Sequence, residues 1–109
     1  MTTNTFEKSI TYNLKDSVGY AEGAIVSKIV YKNEKGNVTL FAFDGGQNLS
    51  EHTAPFDALV QLVEGKANII IDDKVHELKE GDVIIMPADV PHAVESVTAF
   101  KMLLTMLKK

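Results

Sequence analysis

Short apolar segments recur along this chain at intervals of roughly 8 to 10 residues, each closed by residues that favour turns. Residues 24–31 and 38–43 flank Asn33-Glu34-Lys35-Gly36-Asn37, a stretch that tolerates positive φ, and form a predicted hairpin. A Gly45-Gly46 break follows, then segments at 49–54, 58–63, 67–71, 74–78, 82–86 and 92–97. Glu64-Gly65-Lys66, Asp72-Asp73 and Glu80-Gly81-Asp82 separate several of these segments. Strands spaced this evenly pack as a sandwich or close into a barrel, so the pattern predicts an all-β chain. The final stretch, 101–109, is ambiguous, because Met102, Leu103, Met106 and Leu107 fall at helical spacing among good helix formers.

A chain of 109 residues can build one core but not two, and no repeat or linker divides it. One domain over residues 1–109 is the expectation, with residues 1–20 an N-terminal extension or edge strand. The net charge is -4, and no Lys/Arg cluster precedes the short Lys108-Lys109 end, so the positive surface that phosphate binding requires is missing. Nucleic acid is therefore not an expected partner. The chain has no cysteine, which excludes thiolate metal sites, disulfides and thiol nucleophiles. A polar stretch over 1–16 and apolar runs far below spanning length point to a cytoplasmic protein with no membrane partner.

Two histidines stand in distinctive frames. The first frame runs Gly46, five residues, His52, Thr53, Ala54, then Ala58 and Gly65. The second runs Gly81, five residues, Pro87, Ala88, Asp89, two residues, His92 and Ser96. Together, over residues 46–96, these frames resemble the two conserved motifs of the cupin superfamily, in the right order and at the right separation. The resemblance implies a double-stranded β-helix, the jelly-roll barrel of cupins, in which 101–109 is a strand. It also implies a homodimer, and residues 24–31, with Lys28 among apolar neighbours, are the candidate edge.

In a metal-binding cupin the positions of His52, Ala54, Ala58 and His92 read His, His, Glu, His, so here only the first and last ligands remain. Strand alternation places His52, Ala54, Ala58, Val60 and Leu62 on the inner face of the barrel, with His92, Val94 and Ser96 as the matching set from the closing strand. Burying two imidazoles costs desolvation, which favours a use for the pair. Gln61 is the candidate third metal ligand, since a glutamine among apolar strand residues needs hydrogen-bond partners, and Asp57 is the nearest carboxylate to the missing glutamate. By strict alternation both face away from His52, and only a local bulge would bring either inward. His76, beside polar neighbours, is a surface or structural histidine, and the methionines fill core or cavity wall.

No nucleophile elbow or phosphate-cradling loop occurs. The leading expectation is a divalent ion (zinc, iron, nickel or manganese) held by His52, His92 and Gln61, with a small organic ligand or substrate beside it in an oxygenase- or isomerase-like role. The alternative is a metal-free cupin that binds or senses a small molecule, its histidines acting as hydrogen-bonding groups. A third reading is an enzyme without metal, with a histidine as general acid or base.

Overall fold

The computed structural model describes residues 6–108 and contains nine strands and no helix among them. In chain order these are β1 (Ile25–Asn33), β2 (Gly36–Phe43), β3 (Asn48–His52), β4 (Asp57–Glu64), β5 (Lys66–Ile71), β6 (Lys74–Lys79), β7 (Val83–Met86), β8 (His92–Ser96) and β9 (Phe100–Leu107). They form a five-stranded sheet, β1-β2-β9-β4-β7, and a four-stranded sheet, β3-β8-β5-β6, with antiparallel pairing throughout. The spacing predicts an all-β sandwich or barrel, and the arrangement is the double-stranded β-helix that the resemblance implies.

The turns follow their chemistry. Asp72 and Asp73 both adopt positive φ, at 50° and 66°, between β5 and β6. Positive φ at both central residues matches the right-handed twist of the flanking strands, and short acidic side chains tolerate it.

The C-terminal segment is a strand despite its helical spacing, because both of its faces have partners. Phe100 and Met102 are buried in the core between the sheets, with Leu104 and Met106 packed beside them. On the other face, Leu103 packs with Leu40, Ala42 and Val63 in a second cluster outside the five-stranded sheet. Tertiary burial on two sides outweighs local propensity in a run this short.

The second cluster is roofed by the N-terminal segment. Residues 6–20 contain no strand, but Phe6, Leu14 and Val18 lie over Leu40 and Ala42, and the Phe6 N–H donates to the Val30 carbonyl at 3.0 Å. Lys101, only 8% exposed, fastens this roof: its ammonium donates to the Lys15 carbonyl, sits 3.7 Å from Glu64 and lies over the Tyr20 ring. Tyr20 in turn donates its hydroxyl to Glu64 at 2.6 Å. Partial burial and that bond together push the Tyr20 phenol well above its ordinary pKa, so it stays a donor. The arrangement leaves the inner face of the barrel free to form a cavity.

Candidate functional site

His52 ends β3 and His92 begins β8, and the two are paired directly across adjacent strands of the four-stranded sheet. They are neighbours within one sheet, not residues facing each other across the barrel, which brings their rings together: the centroids are 4.4 Å apart at a near-perpendicular tilt. His92 is buried, while His52 lies at the exposed mouth.

Each ring is locked by a backbone carbonyl two residues earlier. His52 Nδ1 lies 2.7 Å from the Ser50 oxygen, and His92 Nδ1 lies 3.2 Å from the Val90 oxygen. A carbonyl only accepts, so both Nδ1 atoms carry the proton, and both Nε2 atoms are acceptors in the neutral rings. Those two Nε2 atoms stand 3.1 Å apart. At that distance a proton on one Nε2 can join the pair, and a ligand donor or an ion can take its place.

Burial lowers the His92 pKa below its ordinary value, a shift that the Val90 carbonyl opposes and the neighbouring His52 reinforces. The sign of the stability effect follows directly. With its folded pKa below the unfolded value, His92 gives up stability as pH falls through about 6.5 toward the folded pKa, because the unfolded chain takes the proton first. Thermal midpoints measured from neutral pH downward are expected to fall more shallowly for His92→Gln than for the parent; equal slopes would remove His92 as the cause.

The pair stands at one end of a cavity of about 300 Å³ between the sheets, lined by Phe41, Leu49, His52, Ala54, Ala58, Met86, His92, Val94, Met102, Leu104 and Met106. Apart from the imidazoles, every lining side chain is apolar. Alternation along β4 therefore places Ala58 as expected, with Val60 and Leu62 buried on the same face. A wider, open cleft lies under the N-terminal segment, and two of its lysines are already engaged, Lys15 with Glu80 and Lys101 with the Lys15 carbonyl.

Gln61 does not join the histidines. It is exposed on the outer face of β4, in unbroken register with Val83 of β7 and Leu103 of β9, so no bulge turns it inward. The irregularity in this strand falls one step later, between Leu62 and Glu64. Asp57 also faces outward and serves the backbone instead, its carboxylate accepting the Ala88 N–H at 2.8 Å, while the Asp89 N–H donates to the Ala54 carbonyl at 2.8 Å. These two bonds clamp the segment before His92 to the segment after His52. Ser96, in unbroken register opposite the buried Ala67 of β5, keeps the inner face that alternation gives it, and its hydroxyl accepts the Gly46 N–H at 2.8 Å, which ties the β2–β3 connection to β8.

The divalent ion implied by the histidine frames fits this donor set only in part. Two nitrogens at about 2.0–2.1 Å from one ion stand about 2.8–3.4 Å apart at the edge of an octahedron or tetrahedron, and the observed separation of 3.1 Å lies within that range. The other half of the site is missing. Among the described residues no group of three His, Cys, Asp or Glu side chains converges, and methyl groups stand at positions 54 and 58.

A profile of the cupin domain matches residues 39–107. The chain belongs to the cupin family. Among solved structures, this cupin is similar over its whole length to a conserved Streptococcus pyogenes protein of unknown function, at 34% identity, 96% coverage of that chain and a TM-score of 0.91. It is similar as well to a cupin superfamily protein from Desulfitobacterium hafniense, at 26% identity, full coverage of both chains and a TM-score of 0.90. A cupin 2 conserved barrel domain protein from Leptotrichia buccalis is 40% identical over 89% of this cupin, with a TM-score of 0.86. This cupin spans 47% of the length of that Leptotrichia chain. No curated protein matches it. Among the described residues, no helix of this cupin is long and apolar enough to cross a membrane.

Met86, Met102 and Met106, expected in the core or cavity wall, share the cavity, and what the sequence did not reveal is how they are grouped within it. The inner face holds Met86, Met102 and Met106, contributed by β7 and β9. Strand alternation groups Met102 with Met106, but only the observed register brings Met86 beside them.

Proposed function

We propose that this cupin binds a small organic molecule in the barrel, its apolar body against Phe41, Leu49 and Leu104 and a hydroxyl or amine head donating to the His52 and His92 Nε2 atoms. The carrying observation is the cavity's polarity: an apolar wall of about 300 Å³ with two acceptor nitrogens, each held in a single tautomer, at one end. Ligand pockets commonly combine an apolar lining with a few fixed polar groups that set orientation. Ala54 and Ala58 support the reading, because their small side chains leave room where longer ones would reach into the barrel.

The test is thermal stabilisation of the chelator-treated protein by compounds that pair an apolar body with a donor head. A ligand at a hundredfold its Kd adds about 2.7 kcal/mol, which raises the midpoint by roughly 10 °C in a domain of this size. His52→Ala/His92→Ala is expected to abolish the shift. Hits that stabilise that variant equally would sink the reading.

A second reading, a divalent ion shared between the two imidazoles and the bound organic molecule, draws support from the Nε2 separation of 3.1 Å. His52 and His92 would supply nitrogen ligands, the organic molecule would supply the missing oxygens, and the ion would polarise them, as an oxygenase- or isomerase-like role requires. Elemental analysis of dialysed protein, with and without the organic ligand, tests this: metal retained only in the liganded sample is the expected result. The same proposal extends to assembly. β1 is an edge of the five-stranded sheet, and isologous pairing along it would make a homodimer, which light scattering after size exclusion measures directly.

A further inference from the structure

We infer that the histidine end of the cavity is a site for a soft monovalent metal ion, copper(I), held by the imidazoles of His52 and His92 and the thioethers of Met86 and Met106. This rests on the reading that the cavity is the working site, and adds to it the class of ion.

The first observation is where the soft donors lie. The chain has no cysteine, four methionines and three histidines, and Met86, Met102, Met106, His52 and His92 all line this one cavity. Register sharpens the point. Ala58 on the central strand β4 is paired with Met86 of β7 on one side and with Met106 of β9 on the other. Directly paired antiparallel residues project to the same face, so two thioethers flank the methyl group that stands where the resemblance places a carboxylate. The hard oxygen donor is absent and soft sulfur donors sit beside its position.

Charge gives the second argument. No acidic side chain lines the cavity. A dication among neutral imidazoles and thioethers would leave two positive charges uncompensated in an apolar wall, and the desolvation cost of an ion rises with the square of its charge, fourfold from one to two. A monovalent ion carries the smaller penalty, and thioether with imidazole is the ligand combination that selects copper(I) over zinc, nickel or manganese.

The third observation is that the nitrogens are ready for an ion. Both Nδ1 atoms are engaged by carbonyls, which leaves Nε2 as the free nitrogen of each ring, and the two Nε2 atoms stand 3.1 Å apart, a separation that one ion can span.

The test is an anaerobic titration of the metal-free protein with copper(I) against a chromophoric copper(I) chelator, repeated with silver(I) as a probe that does not change oxidation state. One equivalent is expected, with affinity reduced roughly tenfold or more in Met86→Leu/Met106→Leu and in His52→Ala. Methionine-to-leucine exchange nearly conserves volume, so the fold is expected to survive. Zinc(II) binding should be weak and indifferent to the methionine exchange. Unchanged copper(I) affinity in the leucine variant, or no stoichiometric binding by the parent, overturns the inference. A measurement on the parent alone guards against a folding artefact: ¹³C-methyl methionine spectra with saturating silver(I) should shift the Met86 and Met106 signals, and if they stay in place the assignment fails. Stabilisation of the metal-free protein by organic ligands, without any copper(I) binding, would remove this inference and leave the small-molecule reading standing.

Discussion

Ala54→His combined with Ala58→Glu is expected to raise the affinity of this cupin for zinc(II) or nickel(II) by roughly a thousandfold or more, since it completes a half-built four-ligand set. The reasoning is positional. Ala54 and Ala58 line the same cavity as His52 and His92, and the paired Nε2 atoms already stand at a separation suited to one ion. The apo double variant should meanwhile be less stable than the parent, because it adds a carboxyl group and a third imidazole to a wall that is otherwise apolar beside the two histidines. Adding the ion should restore the midpoint, since binding energy becomes folding energy. Calorimetric titration and melting curves with and without metal measure both effects. If the double variant binds no better than the parent, positions 54 and 58 are not ligand positions in this barrel, and the alanines do not mark the loss of a metal site.

The same geometry shows how much of the site was legible in the sequence. The histidines stand out because their frames combine fixed glycine, proline and histidine spacing, and the inner face of β4 stands out because side chains alternate strictly from Asp57 to Leu62, before the irregularity at the end of the strand. That rule also places Gln61 outside, and the structure agrees with the rule over the appeal to polar need: the amide reaches solvent, so it requires no buried partner. Two things were not legible. Whether His52 and His92 face each other across the barrel or touch within a sheet depends on the β3–β8 pairing, which joins residues forty positions apart. The grouping of Met86 with Met106 around Ala58 depends on the pairings of β4 with β7 and with β9. Local patterns specify faces, whereas long-range register specifies neighbours, and the proposed ion chemistry lives in the second.

A large loss of stability from a single methyl group is expected at Gly65. Gly65→Ala should cost about 3–5 kcal/mol, a drop of roughly 15 °C or more in the thermal midpoint. Two effects combine there. Gly65 joins β4 to β5 with φ at 83°, where a side chain adds strain of about 1–3 kcal/mol. A Cβ would also run into the Ala99 carbonyl oxygen and the Cα and Cβ of Phe100. None of these can swing aside. Lys66 holds the facing segment through bonds from the Val97 and Thr98 N–H groups to its carbonyl, at 3.1 and 3.2 Å, and its own N–H donates to the Thr98 hydroxyl at 3.0 Å. Phe100 is fully buried and stacked on Phe43 at 4.4 Å, so any retreat disturbs the centre of the core. Gly81→Ala is the control: its φ of 93° is equally unfavourable, but nothing lies within 4 Å of the added methyl, so strain alone applies and about 1–2 kcal/mol is expected. Denaturant unfolding of the two variants separates strain from contact. Equal losses would mean that the β8–β9 connection yields freely to the β4–β5 turn, and that the core around Phe100 is softer than its packing implies.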